Sequence, residues 1–130
     1  MSTYAVAVGI VIFKNKILLL KRSSARKYSP NLWEFVSGFV KEGENAEQTA
    51  LREVREETKL KGKIEMAGKV FEAQDKQARR VVIPFLIRVS SNKIRLSREH
   101  TEFRWILPKE IDKFKCVVKA KKDLQVVGLL

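Results

Sequence analysis

GFVKEGENAEQTALREVREETKL, residues 38–60, is the stretch of this sequence that decides the fold. After a glycine-bearing turn, residues 46–58 include no glycine or proline and consist mostly of strong helix formers. At about 100° per residue, the apolar residues fall on one side of the predicted helix. Glu53, Glu56 and Glu57 fall on an adjacent arc, so the helix is predicted to carry an acidic edge beside its buried stripe.

Glu56 and Glu57 lie three and four residues after Glu53, which brings the three carboxylates within reach of one another. Carboxylates this close repel one another unless a cation or a basic group lies between them. Hard divalent ions such as Mg²⁺ prefer oxygen ligands and usually share them with substrate phosphates. The cluster therefore indicates phosphate chemistry. The alternative is a solvated helix face along which charged side chains form ion pairs, namely Arg52, Arg55, Glu56 and Lys59, but the preceding strand and glycine turn favour a site.

The same stretch resembles the Nudix box, the signature of hydrolases that cleave nucleoside diphosphates linked to another moiety. The pattern is G-x5-E-x7-R-E-U-x-E-E-x-G-U, in which U is a bulky aliphatic residue. All specified positions but one match, at Gly38, Glu44, Arg52, Glu53, Val54, Glu56, Glu57 and Leu60. The exception is Lys59, where the family has glycine. Lysine suits the negative end of the helix dipole, and it predicts a helix that continues or ends differently.

The resemblance implies roles for the matching residues. It implies that the helix supplies the ligands of a divalent metal, namely Glu53, Glu56 and Glu57. The expected ion is Mg²⁺, with Mn²⁺ as the alternative. Arg52 is expected to orient a metal-binding glutamate and Glu44 to anchor the arginine, unless the two form only a surface ion pair. Gly38 is expected to let its backbone carbonyl approach the metal, as only a small residue allows. Glu53, Arg52 and Glu44 are thus placed among the catalytic residues.

A second segment, SREHTEFRWI at 97–106, resembles the family's E-H-x-E-(F/Y)-R-W segment. A loop glutamate in this segment often supplies a further metal ligand or the catalytic base. We expect Glu99 to have this role, with Glu102 as the alternative, because a base must reach the metal-bound water from outside the helix. His100 lies next to Glu99, and a lone histidine in a loop is expected to be structural or solvated.

Two residues before the box are candidates for substrate binding. Arg22 resembles the position at which relatives place an arginine that contacts phosphate. Trp33 and Phe35 alternate with Glu34 along a short strand. An aromatic ring here could stack on a base, so Trp33 is a candidate, although packing in the core is the favoured outcome for both rings.

The order of elements predicts the fold class. Strands are predicted at 4–13, 17–21, 32–36, 63–73, 80–89, 93–96 and 103–107, and helices at 46–59, 108–114 and 117–127. Strands on both sides of a central helix indicate a mixed sheet flanked by helices. The resemblance implies the same α/β/α sandwich, and the length predicts a single domain over residues 1–130.

Composition narrows the class of protein. The apolar N-terminal run is too short to span a membrane, and it lacks the basic region of a signal peptide. A single cysteine, Cys116, fits the reducing cytoplasm and excludes an internal disulfide framework. The net charge of +12 attracts polyphosphates or nucleic acid, unless it is a solubility or thermostability trait. The basic residues are scattered and are not interleaved with aromatic residues, so nucleic acid is the less favoured partner.

Substrate markers of this family lie beyond the box. The region 74–79 has neither the proline typical of ADP-ribose hydrolases nor the tyrosine typical of dinucleoside polyphosphate hydrolases. The sequence therefore predicts a MutT-like pyrophosphohydrolase that acts on nucleoside triphosphates, including oxidised ones. The alternatives are a hydrolase of dinucleoside polyphosphates, ADP-ribose or RNA 5′ ends, and a non-catalytic nucleotide-binding module. The oligomeric state is left open between monomer and homodimer.

Overall fold

The sheet is the framework of the fold, and the computed structural model describes it over residues 2–74 and 76–130. Met1 and Asp75 lie outside the described residues, so the marker region at 74–79 and the predicted domain at 1–130 are described only in part. The strands are β1 (Ser2–Phe13), β2 (Lys16–Arg22), β3 (Trp33–Glu34), β4 (Val36–Phe39), β5 (Lys63–Ala67), β6 (Phe71–Gln74), β7 (Ala78–Arg88) and β8 (His100–Ile106). The helices are α1 (Ala46–Thr58), a 3₁₀ helix (Pro108–Lys113) and α2 (Ala120–Val126).

The sheet is mixed because β1 and β7 run parallel, from Ser2 opposite Ala78 to Ile12 opposite Arg88. The other pairs of strands are antiparallel. The main path is β3-β2-β1-β7-β5, with β4 beside β1, β6 beside β7 and β8 beside β2. β1 is central, which explains its continuous aliphatic sequence, since a strand covered on both faces needs apolar side chains on both.

Alternate residues of β1 face two separate cores. Val6, Val8 and Ile10 pack in the core that includes α2 and the 3₁₀ helix, whereas Ala7 and Val11 pack in the core that includes α1. This alternation is the two-residue period of a strand. The predicted α/β/α sandwich with a mixed central sheet is therefore confirmed. Within the described residues, no helix is long and apolar enough to cross a membrane.

The strand predicted at 32–36 is two strands, and the second of them extends into the glycine-bearing segment predicted as a turn. β3 pairs with β2, where Glu34 lies opposite Leu20, whereas β4 pairs with β1, where Val36 lies opposite Gly9. The chain crosses between the two neighbours at Phe35, which is fully buried. A crossing of this kind depends on tertiary pairing and leaves no local pattern in the sequence.

The strand predicted at 63–73 is also divided, into β5 and β6, and both pair with β7. The interruption lies opposite Pro84, which has no N–H to donate to the ladder. The Pro84 carbonyl accepts a hydrogen bond from the Gly68 N–H at 2.9 Å. The predicted strand at 93–96 is wrong, the segment at 108–114 is a 3₁₀ helix, and the last helix is shorter than predicted.

Helix α1 is fixed at both ends by its own residues. At its start, the Asn45 side chain accepts from the Gln48 N–H at 2.8 Å, and the Gln48 side chain accepts from the Asn45 N–H at 2.9 Å. This capping box satisfies two backbone donors of the first turn. At its end, Lys59 adopts the left-handed conformation with φ 66° and ψ 11°, and its N–H donates to the Arg55 carbonyl at 2.9 Å. The expectation of a different helix end is therefore wrong, because the lysine adopts the conformation that glycine usually provides.

We expect Lys59→Gly to stabilise the protein by about 0.5–1 kcal/mol, because a side chain in the left-handed region is strained. The measurement is thermal or urea unfolding of the two proteins. Lys61→Gly is the matched control, since Lys61 lies outside the positive-φ region and glycine there should lower stability. Equal destabilisation by both variants would contradict the explanation.

Candidate active site

The three glutamates on α1 occupy very different environments. The Glu56 side chain is exposed, the Glu53 side chain is mostly buried, and Glu57 is only 3% exposed. This gradient follows from the helix period, because Glu57 lies nearest the stripe that carries Ala50 and Val54 into the core. The carboxylate cluster therefore faces both solvent and the protein interior.

Arg52 holds two of these glutamates together with Glu44. Its Nε and Nη2 donate to the two carboxylate oxygens of Glu44 at 2.8 and 2.9 Å. Its Nη1 donates to Glu53 at 2.6 Å and to Glu56 at 3.2 Å. The hydrogen bonds from Arg52, and to a lesser extent the one from the Thr49 hydroxyl, lower the pKa of Glu44 to about 2. The geometry is that of an anchored arginine which fixes the position of Glu53.

Gly38 is required by the close approach of Glu53 to β4. A Cβ at residue 38 would collide with the Cδ and Cγ atoms of the Glu53 side chain. Glycine therefore lets the helix and its carboxylate lie directly against the strand. The predicted role of the Gly38 carbonyl as a metal ligand stays a prediction.

Glu57 is the most perturbed carboxyl group of the cluster. Burial raises its pKa well above the usual value, and a hydrogen bond with Glu53 and the charges of Glu53, Glu34 and Glu99 raise it further. One of its oxygens, Oε2, has no hydrogen-bond partner among the described residues. A buried carboxylate with an orphan oxygen among other carboxylates is what a divalent cation would stabilise, so the residues present fit such an ion.

Two residues complete this cluster: Glu99 in the turn before β8, and His100, the first residue of β8. Glu57, Glu99 and His100 each offer a ligand atom, and the three atoms lie within 4.8 Å of one another. The Glu99 side chain is 55% exposed, and Arg26 lies 3.5 Å from it. His100 is 4% exposed, so it is not the solvated histidine that was one of the two expected outcomes.

Glu102, the alternative to Glu99, lies elsewhere. It forms ion pairs with Lys21 at 3.3 Å and Arg104 at 3.2 Å. Phe103 packs toward the α1 side, so the neighbouring Glu102 points to the other face of the sheet. Between Glu102 and His100 the register with β2 shifts by one residue, and this bulge turns His100 back toward α1. The geometry favours Glu99 over Glu102, and its catalytic role stays a prediction.

Arg22 contacts the protein itself. Its guanidinium donates to the carbonyls of Tyr28 and Ser29 at 2.8–3.2 Å and to Glu34 Oε1 at 2.8 Å. These bonds close the loop at 23–32 and account for the burial of the arginine. The guanidinium of Arg22 is thus already hydrogen-bonded within the protein, which argues against the predicted contact with a substrate phosphate.

Trp33 faces away from the glutamates. Its ring packs edge-on against Phe114 at a centroid distance of 5.2 Å, on the side of the sheet covered by α2. Phe35, two residues later, is fully buried in the same core. The structure therefore favours packing, the preferred alternative, over base stacking by Trp33.

Glu34 is the residue that sequence reasoning missed. It is 7% exposed and lies between Arg22 and His100, whose Nε2 is 2.8 Å from Glu34 Oε2. Burial raises the pKa of Glu34, but the hydrogen bond from His100 and the charge of Arg22 outweigh burial and lower it. The signal in the sequence is the alternation of Trp33, Glu34 and Phe35, which places Glu34 on the α1 side.

A basic cavity adjoins the C-terminal end of α1. It has a volume of about 380 Å³ and is lined by Arg55, Lys59, Lys61 and Arg95. Among residues 2–74 and 76–130, no carboxylate forms an ion pair with Arg55, Lys61 or Arg95. These positive charges are therefore available to an anion beside the acidic edge of the helix.

Comparison with known proteins identifies the family. The sequence matches the NUDIX domain over residues 3–124. It is 32% identical over 117 residues to the asymmetrical bis(5'-nucleosyl)-tetraphosphatase of Mus musculus, a match that covers 77% of each chain. It is 46% identical over 56 residues to the 8-oxo-dGTP diphosphatase of Buchnera aphidicola, a match that covers 43% of this chain and 42% of that protein.

A solved structure shows the same fold. The MutT protein from Methanosarcina mazei Go1 superimposes with a TM-score of 0.85 at 20% identity, over 95% of this chain and 91% of that chain. The family match extends over nearly the whole sequence and includes the helix that carries the glutamate cluster. The chain belongs to the Nudix family of hydrolases.

Proposed function

We propose that this protein is a divalent-metal-dependent pyrophosphohydrolase of nucleoside triphosphates, including oxidised ones. The observation that carries the proposal is the environment of Glu57. Its carboxylate is buried among Glu53, Glu99 and His100, and one of its oxygens has no partner in the described part of the chain. Such a cluster is costly in a folded protein unless it binds a cation, and cation binding is what phosphoanhydride cleavage requires.

The proposed role of each residue in the cluster follows from its position in the fold. Glu53, Glu56 and Glu57 would bind the ion from α1, and the Gly38 carbonyl would approach it from β4. When bound, Mg²⁺ or Mn²⁺ neutralises the charge that develops on the phosphate oxygens and lowers the pKa of water. Arg52 keeps Glu53 oriented through its bidentate bond to Glu44.

Glu99 reaches the cluster from outside the helix. Its exposed carboxylate is the group best placed to accept a proton from the attacking water. Arg26 is close enough to keep the side chain near the cluster. Glu99 is therefore proposed as the general base or as a further ligand of the ion.

Small nucleotides are the proposed substrates because the relatives that align with this chain are named for them. One is an 8-oxo-dGTP diphosphatase and another a bis(5'-nucleosyl)-tetraphosphatase. The dinucleoside polyphosphate, ADP-ribose or RNA 5′-end activities are the alternatives, and the basic cavity beside α1 would suit the longer anions among them. A cytoplasmic location is proposed from the single cysteine.

We expect Glu57→Gln to lower turnover by at least about 10²-fold, because the amide cannot replace the charge that binds the ion. The measurement is phosphate or pyrophosphate release from a panel of nucleotides with Mg²⁺ or Mn²⁺. Glu47→Gln is the matched control, since Glu47 is an exposed glutamate of the same helix. Full activity of the wild type in excess EDTA would contradict the proposal.

The same variant should be more stable than the wild type without metal. A carboxyl group with a raised folded pKa contributes stability at low pH that is lost as the pH rises. Near neutral pH, Glu57→Gln should therefore raise the Tm by about 3 °C or more, the shift that roughly 1 kcal/mol produces in a domain of this size. Below about pH 4 the gain should vanish, because Glu57 is then protonated in both states. A gain that is independent of pH would contradict this explanation.

We expect Glu99→Gln to lower kcat by about 10²-fold or more with a smaller change in KM, as for the loss of a general base. Glu102→Gln is the control in the same segment, and it should leave kcat nearly unchanged because Glu102 points to the other face. The measurement is steady-state kinetics at saturating metal. The reverse result would transfer the proposed role to Glu102.

We expect a single-stranded oligonucleotide to bind weakly at physiological salt, because the positive charges lack an aromatic platform. The measurement is fluorescence anisotropy over a range of salt concentrations. The double variant Arg55→Ala/Arg95→Ala tests the basic cavity. Tight binding that falls log-linearly with salt and survives Glu57→Gln would instead support the non-catalytic binding module.

A further inference from the structure

His100 is buried between two carboxylates, and its two ring nitrogens differ. Nε2 lies 2.8 Å from Glu34 Oε2. Nδ1 lies 3.7 Å from Glu57 Oε1 and has no hydrogen-bond partner among the described residues. The ring is thus fixed on one side and unsatisfied on the side that faces the glutamate cluster.

The contacts of Glu34 set the tautomer of this ring. Glu34 Oε1 accepts from Arg22 Nη1 at 2.8 Å, and a carboxylate that is ion-paired to arginine acts only as an acceptor. His100 Nε2 must therefore donate its proton to Glu34. In the neutral imidazole the other nitrogen then carries the lone pair, so Nδ1 presents an acceptor toward Glu57.

Within the described residues, no hydrogen bond satisfies His100 Nδ1 or Glu57 Oε2. Nδ1 and Glu57 Oε1 are too far apart at 3.7 Å for one. Leaving a buried polar atom unsatisfied costs about 1–3 kcal/mol, and Glu57 Oε2 is a second such atom. Two ligands that bind one ion at about 2.1 Å lie roughly 3–4 Å apart, so the observed separation suits a shared cation.

We propose that His100 is itself a metal ligand, which binds a divalent ion through Nδ1 together with Glu57 and Glu99, while Glu34 orients the imidazole from behind. This inference rests on the proposed function for the presence of the ion and adds a nitrogen donor to an otherwise oxygen-rich site. A histidine that binds a metal almost always donates its other N–H to a carboxylate or a carbonyl. The contact between His100 and Glu34 has this form.

The nitrogen donor changes which ions the site prefers. Mg²⁺ favours oxygen ligands, whereas imidazole suits transition metals. Mn²⁺ and Co²⁺ should therefore bind more tightly than Mg²⁺, and His100→Gln should narrow that difference. Glu34→Gln should weaken Mn²⁺ binding by about 10-fold or more, in the range seen when a carboxylate behind a ligand is lost.

The experiment uses the fact that the chain contains a single histidine. Mn²⁺ is added to metal-free protein that is prepared without a histidine tag, and pulsed EPR measures nitrogen coupling to the bound ion. The wild type should show the coupling of a directly bound imidazole, and labelling with ¹⁵N-histidine should change it. His100→Gln should abolish the coupling, and Glu102→Gln, which alters the same strand outside the cluster, should leave it unchanged.

The outcomes separate this inference from the proposed function. Bound Mn²⁺ without imidazole coupling in the wild type would overturn the inference, even if nucleotides are hydrolysed. Imidazole coupling without hydrolysis of any nucleotide would support the inference and contradict the proposed function. Failure to bind Mn²⁺ would contradict both. The wild-type spectrum is decisive by itself, so the test stands even if His100→Gln fails to fold.

Discussion

The close contact between helix α1 and the sheet is the constraint on which the site depends. A Cβ on Gly9 in β1 would lie 3.1 Å from Val54 Cγ2, and a Cβ on Gly38 in β4 would collide with Glu53. Two neighbouring strands thus carry glycine beneath the helix. Because the helix lies so low, Val54 is fully buried and Glu57 is carried into the interior. A larger residue at either glycine would move the carboxylates and the core together.

The carboxylates around the site differ in whether a basic side chain pairs with them. Arg52 pairs with Glu44 and Glu53, and Arg22 pairs with Glu34. Glu57 has no arginine or lysine partner among the residues that the structure describes. A protein built only for stability would not leave this charge unpaired. The arginines hold the surrounding carboxylates in place, and the unpaired Glu57 fits the proposed role of a metal ligand, in which stability is sacrificed for function.

Sequence reasoning reached the parts of this site that local periodicity encodes. The spacing of Glu53, Glu56 and Glu57 predicted the acidic edge, and the residues 46–58 predicted the helix almost to its ends. It missed Glu34 and left the placement of His100 open between a structural and a solvated position, since both placements depend on strand pairing. The bulge between β2 and β8 turns His100 toward α1. A bulge of this kind is not predictable from a short sequence motif. Lys59 was misread because glycine is the usual residue in the left-handed conformation, yet other residues adopt it at a cost.

The chain as a whole is positively charged, whereas the glutamate cluster on α1 is negatively charged. This difference affects how a phosphate-bearing ligand would approach the site. The net charge of +12 draws polyphosphates toward the surface, and the cavity with Arg55 and Arg95 concentrates positive charge beside α1. The glutamate cluster, however, repels a phosphate at short range. An anion can therefore be attracted to the protein without entering the cluster, until cations neutralise it. Under the proposed function, binding of the metal and binding of the substrate therefore favour each other, since each reduces the electrostatic cost of the other.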